Sequence, residues 1–278
     1  MKQTIKKMIP TPLLHHALRQ RDRIKLNATT ARDFPIQNLR TNIKPADLDS
    51  IFQNQETAAH WHKTLEAITA IYGTTTALGG VNPGDRRALY YLVSALKPEN
   101  LLEIGTHIGA STVFLAETLR QNSATARMTT VDILDVNDPK GPWKRSGLAM
   151  PPRDYLQQLG MDSRVAFCAL SSAHYLQTTT ERFDFIFLDG DHASSTVYNE
   201  ISWALRLLKK DGVILLHDFY PDAQPLFHDK TIIPGPFMAV ERIIKEHPEI
   251  TVIPLGQLPW ETKSGTHGTS LALLTRRA

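Results

Sequence analysis

From Asn100 onward, apolar residues gather in short runs, and between the runs they recur every three or four positions. This alternation predicts strands covered on both faces, each followed by an amphipathic helix, in an α/β protein with a mainly parallel sheet. Strands are expected around Leu101, Leu102 and Ile104, then over Met128 to Ile133, Arg164 to Ala169, Phe183 to Leu188 and Val213 to Leu216. Helices are expected from Ala110-Ser111 to Leu119, over Arg153 to Leu159, and over Ser171 to Gln177 with a serine cap. After Leu188, the residues Val197, Ile201, Ala204, Leu205 and Leu208 form the inner face of a further helix. Ser194 or Ser195 would cap it, Lys209 and Lys210 suit its negative end, and Gly212 would stop it. A helix over Phe237 to Glu246 and closing strands at Ile250 to Pro254 and Ser270 to Thr275 bring the sheet to seven strands.

The first 84 residues read differently. Met1 to about Thr41 is polar, basic and weakly periodic, an arm expected to pack late or on a partner. Pro45 opens a helical stretch, one or two helices from Ala46 to Tyr72, with Leu48, Ile51, Phe52, Trp61, Leu65, Ile68 and Ile71 largely on one face and Gly73 at its end. His60 and His62, two apart on a helix, point in different directions and belong on the surface. The breaker cluster Gly79-Gly80-Val81-Asn82-Pro83-Gly84 marks a linker. It divides a helical N-terminal extension, residues 1–84, from an α/β domain, residues 85–278, in which Asp85 would cap a helix running to Leu96. Two connections, Leu134 to Pro152 and Phe219 to Pro236, exceed the usual length, and the first is expected to cover an acceptor molecule.

Composition narrows the classes. With 278 residues, 42% hydrophobic and 21% charged, the chain can bury a large core. No apolar run of about 18 residues predicts a membrane span, and the start MKQTIKKMIPTPLL lacks a signal peptide's apolar centre, so a cytoplasmic protein is expected. The single cysteine, Cys168, lies in a strand pattern and reads as core packing. A net charge of +3 without a basic stripe argues against nucleic acid. The basic cluster in the first 25 residues, Lys2, Lys6 and Lys7 among them, could meet a neighbouring subunit.

Chemistry concentrates at the carboxyl ends of the expected strands, where an open α/β sheet binds ligands. The turn Glu103-x-Gly105-x-x-x-Gly109-x-Ser111 follows the first of them. A dinucleotide fingerprint fits it poorly, because His107 and Ala110 stand where the second and third glycines belong, and no lysine follows Gly109 to make a phosphate loop. Asp132 ends the second strand, 23 residues beyond Gly109, at the spacing of a ribose-binding acid, with a helix-cap or loop role as the alternative. Asp189-Gly190-Asp191-His192 and His217-Asp218 end neighbouring strands and should meet at one mouth. Two carboxylates and an imidazole there suit a divalent ion or a proton transfer; capping and cross-strand hydrogen bonding is the plainer alternative.

The glycine turn resembles the first motif of class I S-adenosylmethionine (SAM) methyltransferases, in the form used by the metal-dependent O-methyltransferases. FLDGDH followed by DGVILLHDFY is similar to the sugar and natural-product members of that group, which include macrolide, rhamnosyl and cephalosporin-pathway enzymes. The resemblance covers about residues 85–278 and implies a Rossmann-like seven-stranded fold. It implies SAM against Glu103, Gly105, Gly109 and Ser111, its ribose on Asp132 and its adenosine near Ser171, where Leu170 replaces a frequent glycine. Asp189 and Asp218 would hold Mg²⁺, with Mn²⁺ as the alternative, and His192 would be the base. His217 replaces a glutamate of the family and would be a third metal contact. The implied activity is methylation of a hydroxyl on a sugar or small natural product, by a protein that could assemble as a homo-oligomer through its N-terminal extension. A nicotinamide-dependent oxidoreductase and a non-catalytic SAM-binding protein remain the alternatives.

Overall fold

The computed structural model describes residues 11–41, 43–73, 80–263 and 265–277. Lys2, Lys6, Lys7 and Gly79 lie outside them. Seven strands form one sheet: β1 (Asn100–Ile104), β2 (Arg127–Asp132), β3 (Val165–Ala169), β4 (Phe183–Leu188), β5 (Leu208–Leu216), β6 (Ile250–Pro254) and β7 (Ala272–Arg276). Their order is β3-β2-β1-β4-β5-β7-β6; the first five are parallel, and β7 runs antiparallel between β5 and β6. The strand order reverses between β1 and β4, so the crevice at their carboxyl ends is the natural ligand site.

The helices are α1 (Thr11–Ala28), α2 (Pro45–Phe52), α3 (Gln55–Tyr72), α4 (Pro83–Leu96), α5 (Thr112–Asn122), α6 (Pro142–Arg145), α7 (Pro152–Gln158), α8 (Ser172–Thr178), α9 (Ser194–Leu207) and α10 (Pro234–Glu246). Successive strand side chains point to opposite faces, and both faces are covered. Phe185, Phe187, Val213 and Leu215 therefore enter one core with α2, α3, α4, α5 and α7, while Ile186, Leu188, Ile214 and Leu216 enter a second with α1, α8, α9 and α10. No helix among the described residues is long and apolar enough to cross a membrane.

Four local expectations change. The segment from Arg19 to Thr41 is no loose arm: Leu26, Phe34 and Leu39 are buried in the second core. Arg40 also accepts a hydrogen bond from the Arg276 amide and donates one to the Gly212 carbonyl. Its apolar side chains are too sparse to show a period, yet each is used. Asp85 does not cap α4; Asn82 does, accepting from the Asp85 amide, and Asp85 lies inside the first turn. On α9 the start is satisfied by Asp191, whose carboxylate accepts from the His192 and Ala193 amides and the Thr196 hydroxyl, while the Ser194 hydroxyl reaches the Asp22 carbonyl. The helix then stops at Leu207 and the chain passes straight into β5, where Lys209 pairs with Asp184 at 3.0 Å instead of lying at a helix end.

Candidate active site

Gly105 has φ +101°, and a Cβ there would stand 2.1 Å from the Asp189 carbonyl oxygen. Only glycine lets the ends of β1 and β4 close to this distance, and the Asp189 amide seals them by donating to the Ile104 carbonyl at 2.8 Å. Two residues on, His107 also takes a positive φ and turns its amide onto Asp132, 2.8 Å from Oδ2; the Leu134 amide donates to Oδ1 at 3.0 Å. These two donors leave lone pairs on the Asp132 carboxylate for a ligand.

Glu103 is fully buried beneath the turn, where the hydroxyls of Ser111, Thr112 and Thr130 donate to it at 2.5, 2.6 and 2.6 Å. Burial pushes its pKa up to about 7 against those three donors. Gly109 backs onto Pro152. Of the six residues expected to meet a cofactor, Gly105, Ser111, Asp132 and Ser171 line a shared cavity of about 1100 Å³, while Glu103 and Gly109 sit behind it and shape the turn.

The same cavity runs past Ile133, Gly190 and His192 to Tyr220, Phe227 and Lys263. The expected cover over Leu134 to Pro152 is not there: none of residues 134–152 lines the cavity. Leu148 and Met150 pack against the first core, and the Asn137 side-chain oxygen accepts from the Arg153 amide, so that connection is held away from the mouth. The border is built instead by the second long connection and by the loop between β6 and β7.

Asp189, His192, His217 and Asp218 do meet, as the adjacency of β4 and β5 requires. His192 Nε2 lies 2.6 Å from Asp218 Oδ2. His217 Nδ1 lies 2.9 Å from Asp189 Oδ1 and its Nε2 lies 3.1 Å from Asp85 Oδ2. Hydrogen bonding to Asp218 raises the pKa of His192. Burial alone would lower that of His217, but the carboxylates of Asp189 and Asp218 outweigh it and raise it well above the ordinary imidazole value. Asp218, resisting burial between two imidazoles, stays well below the usual carboxylate range.

Both ring nitrogens of His217, expected as a third metal contact, face carboxylates. Ligand atoms that lie within 4.8 Å of one another come from Asp189, His192 and Asp218. Two carboxylates and an imidazole at that spacing fit the donor chemistry of a divalent ion.

Asp85 is the site residue that sequence reasoning missed. It is completely buried, accepts from Asn82 Nδ2 at 2.6 Å and from the Thr269 hydroxyl at 2.5 Å, and faces His217. An acid three residues into a helix is an ordinary sight in sequence; only the fold brings it under β5.

Residues 102–219 match the family described as a methyltransferase domain. The catechol O-methyltransferase of Niastella koreensis is 28% identical over 155 residues, 54% of this chain and 63% of that protein. The catechol O-methyltransferase of Mycobacterium tuberculosis is 31% identical over 129 residues, 46% of this chain and 51% of that protein. The chain thus spans between about half and two-thirds of the length of these curated relatives. Among solved structures, the O-methyltransferase from Bacillus cereus in complex with S-adenosylhomocysteine (SAH) is 22% identical, with 82% of this chain and 94% of that chain covered at a TM-score of 0.51. The fold is Rossmann-like, residues 102–219 are similar to a methyltransferase domain, and every residue of the imidazole and carboxylate cluster except Asp85 falls inside the matched segment.

Proposed function

We propose that the protein is a SAM-dependent O-methyltransferase acting on a hydroxyl of a small molecule, with His192 as the base. The observation that carries this reading is the His192 and Asp218 pair at the mouth of a cavity whose other end presents Asp132. SAM, when bound, supplies a methyl group on a sulfonium centre. Asp132 accepts from the ribose hydroxyls, the Gly105 to Ser111 turn borders the amino-acid part, and Ser171 borders the adenosine. Asp218, held ionised, accepts from His192 Nε2–H and fixes the tautomer, which leaves Nδ1 as the basic nitrogen. An alcohol is a poor nucleophile until its proton has an acceptor, and a carboxylate-paired imidazole is a stronger base than a free one.

Asp189 and Asp218 would hold a divalent ion, Mg²⁺ or, given the imidazole nearby, Mn²⁺. Such an ion would supply Lewis-acid polarisation of the acceptor oxygen. The spacing of Asp189, His192 and Asp218 favours a second reading, in which His192 is itself the third donor and does not take the proton. In both readings His217 ties Asp189 to Asp85.

The acceptor is proposed to be a sugar or other small natural product, and the names of the curated relatives add aromatic diols to the classes to be tried. Calorimetry with SAM, SAH and NADH tests the cofactor, and transfer of labelled methyl onto diols and glycosides tests the acceptor. NADH binding without a SAH signal would return the chain to the oxidoreductases. SAH binding without transfer to any acceptor would favour a non-catalytic protein.

A further inference from the structure

Glu200 lies on α9 one turn past Val197 and is 2% exposed, yet its side chain lines the cavity. Neither carboxyl oxygen has a hydrogen-bond partner among the described residues. A buried carboxyl short of donors is costly, whether charged or neutral; burial pushes its pKa up to about 7, opposed by the Ser172 hydroxyl, which comes near without making a well-formed hydrogen bond. The backbone beside it is glycine: a Cβ at Gly190 would stand 3.5 Å from Glu200 Oε1. A polar group is thus kept buried in the wall of the cavity, as an acceptor waiting for a donor.

The donor can be named from the layout of the cavity, on the basis of the SAM reading above. Asp132 ends β2, and Glu200 lies against Gly190 in the loop that ends β4; β1 runs between these two strands. Two strand spacings amount to about 10 Å, the reach of a nucleoside from its ribose hydroxyls to the far edge of its base. The cavity is bordered there by the exposed side chain of Ile133 and by Gly190, and alongside by Ser171 and Ser172 beyond β3, a slot that suits a flat ring. The amino-acid end of the cofactor is assigned to the Gly105 turn, so the N–H groups arriving at Glu200 belong to the base.

We infer that Glu200 accepts a hydrogen bond from the exocyclic amine of the cofactor's adenine and makes the site selective for that base. In either protonation state an oxygen accepts from the amine; the neutral acid adds an O–H for the ring nitrogen beside it.

The test compares binding of SAH with binding of its 6-deamino analogue, in which hydrogen replaces the amine, by calorimetry on the full chain. Wild type should bind SAH at least tenfold more tightly. Glu200→Gln, of the same size and still an acceptor, should keep most of that preference, whereas Glu200→Leu should bind the two within about twofold of each other. The inference is overturned if wild type binds SAH and the analogue alike, or if Glu200→Leu keeps the preference. Should Glu200→Leu not fold, Glu200→Met replaces it, with the same expected loss. If wild type binds neither ligand, the SAM reading itself fails, and this inference falls with it.

Discussion

Asp85 on α4 and His217 at the end of β5 face each other across 3.1 Å, although 132 positions separate them in the chain. The far side of the same ring meets Asp189, so one imidazolium links a helix to two strands. Removing Asp85 would leave a buried cation with less compensation, a change that costs about 3 kcal/mol. Asp85→Ala should lower stability by that order in urea melts. Asp85→Asn, which keeps the size and one of the two acceptor oxygens, should fold but turn over at least tenfold more slowly with SAH affinity unchanged. An Asp85→Asn enzyme of normal rate would reduce Asp85 to a packing role.

His192→Ala should lose about 10² to 10⁴ in turnover, the usual worth of general-base assistance. SAH binding should be nearly intact, because His192 lies at the acceptor end. A merely structural His192 would show the reverse, a lower melting temperature with a near-normal rate per folded molecule. Turnover and melting of the same variant, measured together, separate the two.

Exhaustive chelation should stop methyl transfer while calorimetry still detects SAH, since Asp132 and the Gly105 turn do not depend on the acidic cluster. Added Mg²⁺ or Mn²⁺ should restore the rate. An unchanged rate after chelation would leave the cluster working through hydrogen bonds and proton transfer alone.

Glu103→Leu should destabilise the protein by about 2 to 4 kcal/mol, because three buried hydroxyls lose their common acceptor. SAH affinity should fall with it as the turn loosens, even though Glu103 does not line the cavity. Denaturant melts and SAH titration on Glu103→Leu would check both; a stable variant with full affinity would contradict the assignment.

Glu200 carries a pH signature. Its folded pKa of about 7 stands above the ordinary 4.5, so the folded protein keeps a proton that the unfolded chain releases between those values. Stability must therefore fall as pH rises through that window. Glu200→Gln does not titrate and should be more stable than wild type by up to about 3 kcal/mol at pH 8, with little difference near pH 4. Melts at the two pH values decide it; an equal effect at both would mean that ionisation is not the cause.

The parallel strands were readable because each is buried on both faces and so appears as an apolar run with an acid or glycine at its end. Phe183 to Leu188 shows this at full strength. The meeting of Asp189 with Asp218 followed from strand adjacency alone. Asp85 did not, since nothing local distinguishes a first-turn acid that stabilises its helix from one that supports a neighbouring strand. Glu200 was equally silent: a glutamate one turn from Val197 and one residue from Ile201 breaks the apolar face only once, and its cavity exists only after α8 and α9 have packed. The segment from Arg19 to Thr41 escaped notice because three widely spaced anchors, Leu26, Phe34 and Leu39, set no period.

Strand β7 follows β6 in the chain yet inserts between it and β5, and Arg276 just inside its end grips Arg40. While the chain is being made, β5 therefore carries a bare edge, and β6 has no neighbour until β7 emerges. Unpaired edges of this kind invite association with other chains. A chain cut short before Ala272 would be expected to aggregate during synthesis, with the cluster of imidazoles and carboxylates complete in sequence and the sheet beneath it left unclosed.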